Sequence, residues 1–261
     1  MMLSTPYSLP FTVQYQPELA RRTHDVSVRI VTSLPPSPDT AQALNATLLP
    51  FLLLLSSGAL AGESIPPWTS TVDSWTTPQI HAASIDWHLT SVTCDLRAWV
   101  VLAQMLLVDH PRHSFTRLEI AVAQTPDPFE WADVLQGDSR INPYPRPWAG
   151  IDFSVDLGDD IDKDFTVCVS FVRPLSEAEQ MRVSDEFFDW APGLINGAYG
   201  VAPVPPDSCT GLPDPDIVFV DNELEWIIRH CKAHTGALEG LINVVAAISH
   251  QVVQVTEFRI E

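Results

Sequence analysis

Basic residues are scarce in this chain: 14 lysines and arginines stand against 33 aspartates and glutamates, a formal net charge of −19 over 261 residues. A field of that sign repels nucleic acid and anionic membrane and attracts basic surfaces, so a basic protein is the expected partner and nucleic acid and membrane are not. Nor do the few lysines and arginines form a stripe interleaved with aromatics, as a nucleic-acid surface requires. Cysteine is equally thin. Cys94, Cys168, Cys209 and Cys231 are scattered with no C-x-x-C pair, a usage that suits reduced thiols in a cytoplasmic protein better than a disulfide framework.

Catalytic signatures are also lacking. There is no G-x-S-x-G elbow and no phosphate-binding Walker loop, and "SSGALAG" and "INGAYG" do not carry the G-x-G-x-x-G spacing that cradles a dinucleotide. Cys168 sits in an alternating strand, where a thiol is expected to be buried and inert. Metal-ligand types cluster only in "HPRH" (His110, His113) and "RHCKAH" (His230, Cys231, His234). A zinc site needs two such pairs brought together, and no metal or cofactor is expected here. The acidic run through Asp156, Asp159, Asp160, Asp162 and Asp164 lacks the glycine and the closing glutamate of a calcium loop. No catalytic residue is assigned, and a non-enzymatic protein is the expectation.

Long apolar runs are missing too. The most hydrophobic stretch, "TLLPFLLLLSSGALAGESI" (47–65), ends like a signal-peptidase site. It begins too far into the chain, and too far from Arg21, Arg22 and Arg29, to read as an export signal. Its uninterrupted core, Phe51–Leu55, is far below the roughly 18 residues that cross a bilayer.

What the chain does contain is a repeat. Shifting it by 139 residues aligns 25–87 with 164–226 without a gap and gives eleven identities in 63 positions. They fall on structural punctuation: Val28/Val167, Ser37/Ser176, Gly58/Gly197, Ala59/Ala198, Pro66-Pro67/Pro205-Pro206 and Trp87/Trp226. Each copy opens on an alternating strand, "HDVSVRIV" or "KDFTVCVSFV". A capped helix follows, with Ser37-Pro38 in one copy and a Ser176/Glu179 capping box in the other. Pro50 and Pro192 should end or kink these helices near Leu49 and Ala191, and Gly58 and Gly197 suit helix C-termini. A hairpin, a second apolar helix and a last strand complete the order β-α-β-β-α-β. Trp87 and Trp226, central on matching strands, are the expected core.

The expected fold is therefore α+β, a tandem duplication of a ferredoxin-like βαββαβ unit with antiparallel sheets and helices on one face. The expected divisions are an N-terminal extension (1–23), a first repeat (24–124), a linker rich in proline, aromatics and acids (125–162), and a second repeat (163–261). A connection that long is commonly functional. It supplies the candidate partner-binding residues, with Phe129, Trp131, Tyr144 and Trp148 as aromatic anchors and Asp156, Asp159, Asp160 and Asp162 as an acidic rim. The functional expectation is an acidic cytoplasmic protein, monomer or homodimer, that neutralises a basic protein, as a bacterial immunity protein or inhibitor neutralises a cationic toxin such as a nuclease. The alternative is a small-molecule enzyme or sensor with a pocket between the two halves.

Overall fold

The computed structural model describes residues 9, 11–17, 19, 23–109, 115–123, 131–134, 144–158, 165–200, 217–228 and 235–261. They form a mixed α+β protein with four helices and two mixed sheets. In the first half the elements are β1 (Thr12–Tyr15), β2 (His24–Thr32), α1 (Pro38–Ser56), β3 (Ser74–Trp75), β4 (Gln79–Ile80), β5 (Ser84–Val92), α2 (Ala98–Asp109), β6 (Phe115–Val122) and β7 (Ala132–Asp133). In the second they are β8 (Ser154–Leu157), β9 (Phe165–Phe171), α3 (Glu177–Ile195), β10 (Val218–Val220), β11 (Glu223–Ile228), α4 (Thr235–Gln251) and β12 (Val255–Ile260).

The first sheet runs β3-β5-β2-β6-β1-β7, with β4 also on β5, and the second runs β10-β11-β9-β12-β8. Neither is antiparallel throughout, as had been expected: β1 lies parallel to β6, and β8 parallel to β12. Both added strands come from the stretches read as N-terminal extension and linker. They cover the outer edges of β6 and β12, whose amides and carbonyls would otherwise stand unpaired. β1 also carries Val13, which joins Phe11 in the core.

Positions paired by the 139-residue shift occupy matching places. Ser37 and Ser176 are both helix N-caps. Gly58 and Gly197 follow the helices at φ +82° and +80°, in the left-handed region where only glycine is unstrained. A Cβ at Gly58 would stand 2.7 Å from the Pro67 carbonyl oxygen. Trp87 and Trp226 are fully buried, and Phe187, Phe188 and Trp190 ring Trp226 edge-on.

Pro50 and Pro192 do not end their helices, which run on to Ser56 and Ile195. An internal proline costs a helix about 3 kcal/mol. The turns beyond the prolines nevertheless bury Phe51, Leu52, Leu54 and Leu55 in α1 and Leu194 in α3. At about 1.5 to 3 kcal/mol per large apolar side chain, that burial exceeds the loss in α1, while in α3 Leu194 offsets most of it.

The halves meet helix to helix. α1 packs on α3, α2 on the short turn Ala198–Gly200, and α4 on the turn Pro67–Thr69. Leu54 fills the notch left by Gly193, where a Cβ would come within 2.4 Å of its Cδ1. One continuous core therefore spans both halves. The helices lie between the sheets, and the opposite face of each sheet is left to solvent, which an antiparallel-type sheet tolerates. No helix among the described residues is long and apolar enough to cross a membrane.

The α3 cap carries a pH signature. Arg173 donates to both oxygens of Glu179 at 3.0 and 2.7 Å, and the Ser176 amide and hydroxyl donate to Oε2 at 2.9 Å each. The arginine first, and then the cap, hold the Glu179 carboxyl down at about 2, against an ordinary 4.5. Because the folded value is the lower one, this stabilisation is complete above the ordinary value and fades as pH falls toward the folded one. Urea midpoints measured across that acid range should fall more shallowly for Glu179→Gln than for the wild type.

Candidate functional site

The two solvent-facing sheet surfaces are built on the same register and differ at their centres. On the first, Arg29 of β2 stands directly between Asp86 of β5 and Glu119 of β6. Its Nε donates to both Asp86 oxygens at 3.1 Å, its Nη2 to Oδ2 at 2.9 Å, and its Nη1 lies 3.7 Å from Glu119. Arg117 adds a second cation to Glu119, and His81 Nε2 lies 3.5 Å from Asp86. Asp86 and Glu119 are each only 6% exposed. Carboxylates that deep persist because they are paired.

On the second sheet the shift puts Cys168 where Arg29 stands and Glu225 where Asp86 stands. Cross-strand register lines up Val218, Glu225, Cys168, Arg259 and Asp156 in one row over all five strands. The next row is Val220, Glu223, Ser170, Glu257 and Ser154. With strands about 4.8 Å apart, each row is roughly 19 Å wide. Its one cation, Arg259, turns to Glu257 at 2.7 Å and to Glu261 at 3.0 Å. Among the described residues this leaves Asp156, Glu223 and Glu225 with no ion-pair partner, Glu223 taking only a hydrogen bond from the Ser170 hydroxyl at 3.3 Å.

Burial first, and then the charges of Glu261 and Glu225, hold the Cys168 thiol up and protonated against the opposing pull of Arg259. The thiol is thus a neutral floor for the carboxylates around it. Along the β10 and β11 side the same face exposes Val218, Val220 and Ile227, by 48%, 55% and 39%. Unpaired carboxylates beside a bare aliphatic strip suit a partner that brings lysine or arginine on an apolar stem.

The linker residues fall in three places. Asp156 lies on this acidic face as part of β8. Tyr144 is buried, edge-on to Tyr199 at 5.3 Å and against Gly236. Trp148 is half-buried and edge-on to Trp68 at 4.7 Å, and Trp68 stacks on His250 at 3.8 Å. The Trp148 amide donates to Asn243 Oδ1 at 2.7 Å, and Asn243 Nδ2 donates to the Arg146 carbonyl at 3.3 Å. These two aromatics therefore hold the linker against the junction of the halves. Trp131 is half-buried beside β7. Phe129, Asp159, Asp160 and Asp162 lie outside the described residues, as do His110, His113, His230, Cys231 and His234.

Among the described residues no group of three His, Cys, Asp or Glu side chains is gathered as a metal site would be. Glu223, Glu225 and Ile227 were missed in the sequence, although the alternation of β11 displays them. The signal was the pairing of Arg29 with Cys168 under the 139-residue shift, which sets a thiol at the centre of one strand where the other carries a cation.

Neither the models of known protein families nor the curated proteins match this chain, so the chemistry of the face rests on its own residues.

Proposed function

We propose that this is a non-enzymatic, cytoplasmic binding protein that neutralises a basic protein partner, in the manner of a bacterial immunity protein or inhibitor acting on a cationic toxin such as a nuclease. Its body is a tandem duplication of a ferredoxin-like unit, in which one outer face keeps a compensated, structural charge pattern and the other has become the docking surface. The observation that carries the reading is the pair of rows across the second sheet, where Glu223, Glu225 and Asp156 lack ion-pair partners among the described residues and stand beside exposed valines. The net charge of −19 supports it, since long-range attraction speeds encounter with a cationic target and disfavours other partners.

The test is co-expression with the product of the neighbouring reading frame. Relief of that product's toxicity and co-purification that weakens as salt rises are the expected results. Unrelieved toxicity, or a complex indifferent to salt, overturns the reading.

A further inference from the structure

A cavity of about 360 Å³ opens where the end of β1, the loop after α1, the turn before α2 and the linker converge. It is tightly built on one side. Gly62 adopts φ +84°, and a Cβ there would fall 2.4 Å from Asp95 Oδ2, so the Asp95 carboxyl rests directly on the glycine backbone. Asp95 Oδ1 accepts the Arg97 amide at 2.8 Å, and the Asp95 amide donates to the Leu60 carbonyl at 3.1 Å. On the opposite side the Ala149 amide donates to the Glu63 carbonyl at 3.1 Å, tying the linker to the loop after α1.

The charges around the opening are Glu63, Asp95, Arg97 and Arg146. Arginines that close no ion pair within 4 Å are unexpected in a chain where acids outnumber bases 33 to 14. Of the seven described arginines, Arg29, Arg117, Arg173 and Arg259 close ion pairs within 4 Å, which leaves Arg146, Arg97, whose charge acts on Asp95 from a longer distance, and Arg182, whose charge acts on Glu186. Arg182 donates instead to the Gln251 carbonyl. The other two both border this one cavity.

We propose that the cavity binds a small zwitterion, an α-amino acid, with its carboxylate on Arg97 and Arg146 and its ammonium toward Glu63 and Asp95. Two guanidiniums favour an anionic group, which each can hold through a planar fork. A phosphate dianion would meet two carboxylates, and a simple amine two guanidiniums, so each lacks half of its complement. Ile65, Leu96 and Val134 supply an apolar wall, which selects an aliphatic side chain. The volume lies in the range that encloses small ligands, about 300 to 1,000 Å³. This site is separate from the acidic sheet face and does not depend on the partner proposed for it.

The test is calorimetric titration of the full chain with the twenty free amino acids, and separately with acetate, phosphate and methylamine, each at up to about 10 mM, together with melting curves. Aliphatic amino acids should bind and raise the Tm, at least about tenfold more tightly than acetate or methylamine. Arg97→Ala and Arg146→Ala should each weaken binding at least about tenfold, whereas Arg182→Ala, which removes an arginine away from the cavity, should leave it unchanged. Arg146 is exposed, so its variant reports on binding even where Arg97→Ala disturbs the turn. The proposal is overturned if no amino acid binds, if phosphate binds as tightly as the best amino acid, or if Arg146→Ala binds like the wild type.

Discussion

Replacing Arg29 by cysteine is expected to lower stability by about 3 kcal/mol, whereas Cys168→Arg at the matching position of the second sheet should change it by less than about 1 kcal/mol. The asymmetry follows from depth. Asp86 and Glu119 are nearly inaccessible and are held by the Arg29 guanidinium, which reaches Asp86 through three contacts of 2.9 to 3.1 Å. Removing one partner of a buried pair leaves an unanswered charge, at about 3 to 5 kcal/mol. The lower end applies because Arg29 is itself half exposed and because Arg117 and His81 remain beside the two acids. On the second sheet the neighbours of position 168 are the exposed Glu225 and the already paired Arg259. A new guanidinium there gains one surface pair, worth less than about 1 kcal/mol, against some repulsion from Arg259. Denaturant midpoints of the two variants, with unchanged slopes, measure both numbers. Equal costs for the two substitutions would refute the contrast between a structural face and an open one.

Much of the fold was legible because local rules and tertiary packing agreed. Alternation in "HDVSVRIV" and "DFTVCVSF" gave β2 and β9, and the Ser176/Glu179 box gave the start of α3. The hairpin expected in the second copy is β10 and β11, which turn at Asp221-Asn222 with Asp221 at φ 53°. Where a local rule competed with burial, burial won. Pro50 and Pro192 signal helix ends, yet the buried Phe51 and the leucines beyond them carry their helices on. The strands β1 and β8 were illegible for a different reason. Each is four residues long, β8 is exposed along its whole length, and each earns its place only by covering the edge of a distant last strand.

The candidate site was legible in kind and not in place. Net charge pointed to a cationic partner, and Asp156 was among the residues singled out. The aromatics Tyr144 and Trp148 looked like exposed anchors because their surroundings are polar and rich in proline. What buries or half-buries them lies far away in the chain, at Tyr199, Gly236, Trp68 and Asn243. The acids of the second face were hidden by the opposite effect. Single glutamates at alternate positions of a strand look like ordinary solubility, and their meaning emerges only when register sets them beside a cysteine in place of an arginine.

If that face receives the partner, the double substitution Glu223→Lys/Glu225→Lys should weaken binding by about 100-fold or more, since close charge pairs at such interfaces contribute about 1.5 kcal/mol or more each and 1.4 kcal/mol is tenfold. The loss should lie mainly in the association rate at low salt and shrink as ionic strength rises, because steering by exposed charge is screened beyond about 10 Å at 0.1 M. Fold stability should hold, since among the described residues Glu225 has no ion-pair partner to lose and Glu223 loses only a 3.3 Å hydrogen bond. Cys168→Arg is the subtler probe. It leaves every carboxylate in place and answers Glu225 from within, so it should weaken binding by about tenfold without reversing any charge on the rim. Val218→Ser/Val220→Ser tests the apolar half of the surface and should raise the dissociation rate while leaving the salt dependence unchanged. Surface kinetics on these variants at two salt concentrations separate the contributions. Unaltered association by the double lysine variant would move the partner to another part of the molecule, because the change reverses the charge of both acids that β11 presents to this face.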